Sequence, residues 1–434
     1  MARDLDIIIF GATGFTGKHT IPIVSKFSKT NGRHLTWGVA GRSEKKLKNF
    51  LSQCEKEAGT SLNDVPVIIA DVEDEDSLNA MARKARIIIN CCGPYRFYGE
   101  PVVKACVEEG THHVDVSGEP QYMEKMQLKY HKLAQEKGIY IISACGVDSI
   151  PTDLGLVFLQ QKFTGTVNSV NSYLSAWEEG DSLPGPALNY GTWESAVYGL
   201  AHANELRELR QQLYSSRLPS FKPKLEAKKY PHTTDLLKGW ALPFPGSDRS
   251  VVRRSQRCFY ETDAKRPVQI ETYFMVDSFF RVIMLIIFGA IFSLLARFQF
   301  GRNLLLKYPE KFSFGMTSHE PPSEEKIAKS WFSVTFYGEG WKEELANADD
   351  QYSTPVNKAI VTKVKGRNPG YGSTCKCLVL AAITVITETD KLPSGGGVYP
   401  PGYAFAKTSL IKQLDENGVT FEVLSEKDLS SVNN

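Results

Sequence analysis

The feature that most limits what this chain can become is the run Ile7-Ile8-Ile9-Phe10, followed at once by Gly11-Ala12-Thr13-Gly14-Phe15-Thr16-Gly17. An apolar, β-branched stretch that ends in glycines three residues apart and passes into Lys18-His19-Thr20 predicts a buried strand, a tight turn and a helix start. Gly11 lets the backbone turn sharply, Gly14 leaves room for a pyrophosphate against the main chain, and Gly17 lets the helix close on the strand. The phosphates would rest on the N–H groups of the helix N-terminus, where the dipole favours negative charge. The spacing is GxxGxxG rather than GxGxxG, so its place directly behind a strand carries the argument. Gly11, Thr13, Gly14, Phe15, Thr16 and Gly17 are the expected cofactor contacts of this turn.

The strand pattern recurs at Leu35 to Ala40, Val65 to Ala70, Ile87 to Ile89, Val114 to Val116 and Ile139 to Ile142, with helices between. Pro22 is expected to kink or shorten the first helix. Short, wholly apolar strands suit a parallel sheet buried on both faces. The fold class read from this is α/β, with a doubly wound Rossmann domain over residues 1–155. The second strand runs into Gly41-Arg42-Ser43, where an NAD enzyme usually places an acid on the ribose hydroxyls. Arg42, with Lys45 and Lys46 nearby, favours NADP(H) and leaves NAD(H) as the weaker fit. Asp71, ending the third strand, either accepts from the adenine amino group or caps the helix that starts near Asp74.

The fourth strand ends in Asn90-Cys91-Cys92-Gly93-Pro94-Tyr95. Ligands of open α/β sheets bind beyond the strand carboxyl ends, so Asn90, Cys91, Gly93 and Pro94 are expected to line the nicotinamide half of the groove. Tyr95 is the first candidate proton donor and Asp148 the second. Tyr95 could equally form a pocket wall, and Asp148 could cap the helix near Pro151. Cys91 and Cys92 have no histidine close in sequence, and buried cysteine commonly packs as a small hydrophobe. No Tyr-x-x-x-Lys pair follows Tyr95 or Tyr122.

The 51 Lys and Arg against 49 Asp and Glu give no electrostatic case for a nucleic-acid partner. Eight cysteines without regular spacing in 434 residues point to reduced thiols on the cytosolic side. Neither Cys375-Lys376-Cys377 nor His112-His113 has the neighbours of a metal site, so none is expected. The first residues show no apolar signal core and enter the first strand directly.

Read through, the chain resembles the saccharopine dehydrogenase-like oxidoreductases, a family related to mycobacterial trans-acting enoyl reductases. The resemblance is carried by Phe10 to Gly17, Ala40-Gly-Arg-Ser43, Asn90 to Pro101, Asp115-Val-Ser-Gly-Glu119, Gly146 to Asp153, Gly191-Thr-Trp-Glu-Ser195 and Pro401-Gly-Tyr-Ala-Phe405. It implies association with lipid droplets and a part in glycolipid or lipid metabolism. A saccharopine-forming enzyme must bind a dicarboxylic amino acid through several buried arginines. No such set is matched here, which argues against lysine metabolism.

From Leu156 the pattern changes. Asn168 to Trp177, Val268 to Val276 and Trp331 to Tyr337 read as strands of a second α+β domain over 156–367, with Asn204 to Tyr214 a helix. Tyr190 to Trp193 is read as a pocket wall or as core. Within this domain, segment 279–298 includes Val282 to Ala296 without a charge, shorter than the roughly 18–20 residues a spanning helix needs. It is also too continuously apolar for an ordinary surface helix. Monotopic insertion into a lipid monolayer or membrane is expected, with a buried core helix or a homodimer interface as the alternatives. The tail 368–434, with a helix over Thr374 to Glu388 and a strand over Thr420 to Leu424, is expected to return to the first domain. The combined expectation is an NADP(H)-dependent oxidoreductase at a lipid surface acting on a hydrophobic or lipid-linked substrate. The rivals are a non-catalytic nucleotide-binding scaffold and a soluble imino-acid reductase.

Overall fold

The computed structural model describes residues 3–58, 61–181, 183–345, 347–352 and 354–430. Two compact units emerge. One is Met1–Val147 with Leu206–Leu213 and Tyr371–Leu414; the other is Asp148–Glu205 with Tyr214–Gly370 and Asp415–Asn434.

The first unit contains β1 (Leu5–Phe10), β2 (Trp37–Gly41), β3 (Val67–Ile69), β4 (Ala85–Asn90), β5 (His112–Asp115) and β6 (Tyr140–Ile142). With the strand Gly397–Tyr399 they form a seven-stranded sheet in the order 397–399, β6, β5, β4, β1, β2, β3. Every pairing is parallel. This is the doubly wound dinucleotide order with one strand added at the β6 edge. Ile7, Ile8 and Ile9, and beside them Ile87, Ile88 and Ile89, are fully buried, because helices cover both faces and no alternation is needed. The helix Phe15–Phe27 runs on through Pro22, which removes one hydrogen bond but does not shorten it as expected.

The tail is needed here for cover. Its helix Thr374–Thr387 packs on the helix Phe15–Phe27 and on β4 and β5, buried on nearly all sides. Helix Glu205–Leu213 also contributes, through Arg210, which donates at 2.7 and 2.9 Å to the buried Glu124 carboxylate. The tail does not return whole, which corrects the expectation for 368–434. Its last strand, Val419–Asp428, pairs antiparallel in the second unit. The first boundary also moves, from 155 to Val147, because the helix Ile150–Lys162 packs on the second sheet.

The second unit comprises β7 (Thr166–Glu178), β8 (His232–Thr234), β9 (Leu237–Pro243), β10 (Gln269–Val276), β11 (Ser330–Trp341) and β12 (Lys358–Arg367). The sheet order is 419–428, β12, β11, β7, β10, β9, β8, with β7 and β10 parallel and the other pairs antiparallel. The helices Ile150–Lys162 and Asp248–Asp263 pack on it and on each other.

The apolar segment forms the helix Phe279–Ala296. Val282, near its start, packs with Leu242 and Val276, and Ala296, at its end, packs with Trp193, Val197 and Leu305. Leu285, Phe288, Phe292 and Leu295 complete this inward stripe at helical spacing. Trp193 is thus core, and its indole N–H donates to the Leu305 carbonyl at 3.0 Å. The outward stripe, Phe280, Ile283, Ile287, Ile291 and Leu294, is exposed. A helix held to one unit near both ends lies along it rather than leaving it.

Candidate nucleotide-binding site

The turn after β1 has the geometry its glycines predict. Gly11 lies at φ +78°, and a Cβ there would sit 2.6 Å from Cys92 Sγ, because the β1 and β4 loops touch. A Cβ on Gly17 would lie 2.3 Å from the Gly11 carbonyl oxygen and 2.7 Å from Ala12 Cα, both main-chain atoms that cannot swing away. Gly14 is the N-cap of the helix Phe15–Phe27 and has no side chain to cap it, and no acidic residue occupies the first turn. The N–H groups of Phe15, Thr16 and Gly17 have no intrahelical acceptor by helix geometry. They form, beside Thr13, an uncapped anion cradle at the sheet's switch point between β1 and β4.

Arg42 follows β2, is exposed, and makes no hydrogen bond or ion pair among the described residues. Asp71 does not cap the next helix; Asp74 does, accepting from Ser77 N–H at 3.2 Å. Asp71 instead accepts from Glu73 N–H at 3.2 Å, which leaves it at the turn. Ile69, in register with Gly41 and half exposed, is an apolar surface beside Arg42 that the sequence reading passed over. Burial pushes the Cys92 thiol up to about 12, opposed by the charge of Arg42 and assisted by that of Asp71.

At the end of β4, Asn90 is fully buried. Its Oδ1 accepts from Cys92 N–H at 3.0 Å, and its Nδ2 has no hydrogen-bond partner among the described residues. The Cys91 side chain approaches Thr20 Oγ1 at 3.9 Å, and burial raises its thiol well above the ordinary range. Neither cysteine is poised as a thiolate. Gly93 is exposed and Pro94 buried, the latter the N-cap of the helix Tyr95–Glu109. An orphan amide donor, bare helix N–H groups and an unpartnered arginine are together a set that fits a phosphorylated dinucleotide.

The Tyr95 hydroxyl donates to the Asn90 carbonyl at 2.9 Å and accepts from Val116 N–H at 3.4 Å, and the side chain is buried. Burial, with the charge of Asp115, pushes the phenol well above its ordinary value. The ring is therefore a strut joining the ends of β4 and β5, its oxygen engaged on both sides by main-chain groups. Its helix starts at Tyr95 because the Glu119 carboxylate accepts from Tyr95 and Arg96 N–H, each at 2.9 Å.

Beneath lies a hydrogen-bond network centred on Asp115. Buried Asp115 accepts from Tyr122 Oη at 3.0 Å, Ser143 Oγ at 2.8 Å, Ser117 N–H at 2.9 Å and Ala144 N–H at 3.3 Å. Burial still wins, lifting its carboxyl to about 6. His113 Nδ1, 3.8 Å away, makes no ion pair at neutral pH, because burial depresses its pKa from 6.5 to about 3. The folded state thus binds fewer protons at His113 than the unfolded chain. Its contribution is present above pH 6.5 and lost as pH falls towards 3. We expect His113→Leu to resist acid unfolding by about 3 kcal/mol more than the parent at pH 4, measured by denaturant melts across pH.

Residues 7–142 match the family model for the saccharopine dehydrogenase NADP binding domain. The saccharopine dehydrogenase-like oxidoreductase of Homo sapiens is 40% identical over 431 residues, covering 98% of this chain and 99% of its own. This chain belongs to the saccharopine dehydrogenase-like oxidoreductase family. It is an NADP-binding oxidoreductase by that membership. The lipid droplet localized protein of Caenorhabditis elegans is 39% identical to this family member over 435 residues, covering 98% of the chain and 99% of that protein. Apo saccharopine dehydrogenase (L-Glu forming) from Saccharomyces cerevisiae shares the fold, with a TM-score of 0.55 at 13% identity and coverage of 98% and 99%.

Asp148 falls in the second unit of this oxidoreductase, so the two candidate proton donors do not share a unit. It sits, exposed, in the turn before the helix Ile150–Lys162, whose N-cap is Ser149. The arginines Arg254, Arg257 and Arg266 are buried in this unit. Arg257 is held by Glu261 and the Ser216 carbonyl, and Arg266 by Asn168 and the Asp350 carbonyl. Those two are structural arginines, not free receptors for a dicarboxylate.

Proposed function

We propose that this chain is an NADP(H)-preferring oxidoreductase held at a lipid monolayer or membrane, acting on a hydrophobic or lipid-linked substrate. The observation that carries the reading is the helix Phe279–Ala296, packed inward near both ends while its whole outward stripe faces solvent. An exposed apolar surface of this extent needs a partner, and a helix lying flat suits one leaflet rather than a crossing. The name of the nematode relative, a lipid droplet localized protein, agrees with a droplet surface.

The cofactor, when bound, supplies hydride chemistry. The residues of the chain do the rest. The first-turn N–H groups beyond Gly14 hold pyrophosphate, Arg42 holds the 2′-phosphate, Ile69 offers an apolar seat for adenine, and Asn90 Nδ2 offers a donor at the nicotinamide end. Arg42→Ala is expected to weaken NADPH binding about 10–100-fold, the loss of a charge-assisted contact, and to leave NADH within about threefold. Titration calorimetry with both cofactors checks this, and equal losses for the two would remove Arg42 from the 2′-phosphate site. Turnover of NADPH with lipid enones separates an enzyme from a binding scaffold.

A further inference from the structure

Resting on the lipid-surface reading, we infer that the helix is only half of the docking surface. The other half is a rigid loop, Ser313 to Thr317, that inserts Phe314 and Met316 beside it, while Arg297, Lys307 and Lys311 meet anionic headgroups.

Phe314 is 67% exposed and lies at φ 53°, a left-handed conformation that bulky residues rarely adopt. Gly315 follows at φ 79°. The loop is nevertheless pinned. Gly315 N–H donates to the Glu310 carbonyl at 2.8 Å, Met316 N–H to the Ser313 carbonyl at 3.1 Å, and Thr317 N–H to Ser313 Oγ at 2.9 Å. The Met316 carbonyl accepts from Ala187 and Leu188 N–H, each at 2.9 Å. Fixed backbone holds an aromatic ring in water, which folding alone does not reward.

The loop adjoins the helix, for the Phe314 ring lies edge-on to Phe288 with centroids 6.0 Å apart. At the far end of the helix, Gly301 packs so closely that a Cβ would stand 2.1 Å from the Leu295 carbonyl oxygen, and Arg302 donates to the Ala296 carbonyl at 3.1 Å. That tight corner extends the outward stripe to Phe298 and sets Phe300, 78% exposed, beside it. Around this surface stand Arg297, Lys307 and Lys311, none with a carboxylate partner among the described residues. Lys307 and Lys311 both lie over the Tyr308 ring, at 5.4 and 5.1 Å from its centroid. A tyrosine bracketed by lysines at the edge of an apolar face is the composition of a membrane–water boundary. The unpaired cations select an anionic surface over a second copy of the chain, which would bring the same cationic rim with it.

The test is flotation of full-length protein with vesicles of phosphatidylcholine, alone or with added phosphatidylserine. Phe314→Ser combined with Met316→Ser is expected to lower the partition coefficient about tenfold on both vesicles. Lys307→Ala with Lys311→Ala should lose about tenfold only where phosphatidylserine is present. Ile287→Ser with Ile291→Ser reports on the helix alone, and melting temperatures confirm that each variant folds. Release by the helix pair with no change in the loop pair overturns this inference and leaves the lipid-surface reading standing. No flotation of the parent protein overturns both. A concentration-dependent dimer in sedimentation, dissociated by the Phe314 and Met316 changes, assigns the face to a second copy and also overturns the inference.

Discussion

Gly17→Val is expected to abolish measurable NADP(H) binding, a loss of at least about a hundredfold, and to destabilise the first unit by about 3 kcal/mol. The reason is the 2.3 Å between a Cβ at this position and the Gly11 carbonyl oxygen. To admit any side chain, the helix Phe15–Phe27 must back away from the turn, and it carries the N–H cradle with it. Gly14→Ala is the contrasting variant. There the added carbon meets only the Gly11 oxygen at 3.2 Å, a strain of tenths of an ångström. It should leave the fold intact while crowding the pyrophosphate, so affinity falls without a matching fall in melting temperature. Calorimetry paired with thermal melts distinguishes the two. Equal behaviour of the variants would mean that the turn is a structural corner and not a phosphate seat.

Asp115→Ala should cost about 4 kcal/mol, because Tyr122 and Ser143 hydroxyls and two main-chain N–H groups lose one buried acceptor together. Asp115→Asn should cost under about 1 kcal/mol, since its Oδ1 keeps the N–H donors and the two hydroxyls can turn to accept. The charge itself is a burden. With its carboxyl raised from 3.8 to about 6, the folded state holds this proton more tightly than the unfolded chain. That contribution is full below pH 3.8 and is lost as pH rises through about 6, a change of about 3 kcal/mol. Asn at this position removes that slope. Urea unfolding of the three proteins from pH 4 to 8 measures it, and a parallel slope in parent and Asp115→Asn would show that Asp115 is not the group responsible. Because the network sets the ends of β4, β5 and β6, the Ala variant should also weaken cofactor binding although no atom of Asp115 is a cofactor contact.

The local chemistry of the cofactor turn was legible because each part of it is a short-range necessity. An apolar strand, a glycine at positive φ and a glycine under a helix leave their marks within a dozen residues, and Arg42 stands one residue beyond the strand it follows. The same holds for the apolar segment, whose hydropathy is visible without any fold. What residues far apart in the chain do to one another was not legible. Tyr95 reads as a free phenol at a strand end until Val116 and the Asn90 carbonyl claim its oxygen. Glu119 caps a helix that begins two dozen residues earlier, a contact that no local pattern announces. The tail reads as one returning segment until β12 offers a free edge to Val419–Asp428 and draws it into the other sheet.

Two apolar helices give the clearest case. Thr374–Thr387 and Phe279–Ala296 are both uninterrupted enough to suit lipid, yet the first is sealed between a helix and the sheet while the second keeps its outer stripe in solvent. Hydropathy is a property of the segment, and the sequence by itself determined it. Which apolar face is spare depends on how many neighbours the rest of the chain supplies, and only the tertiary structure decided that.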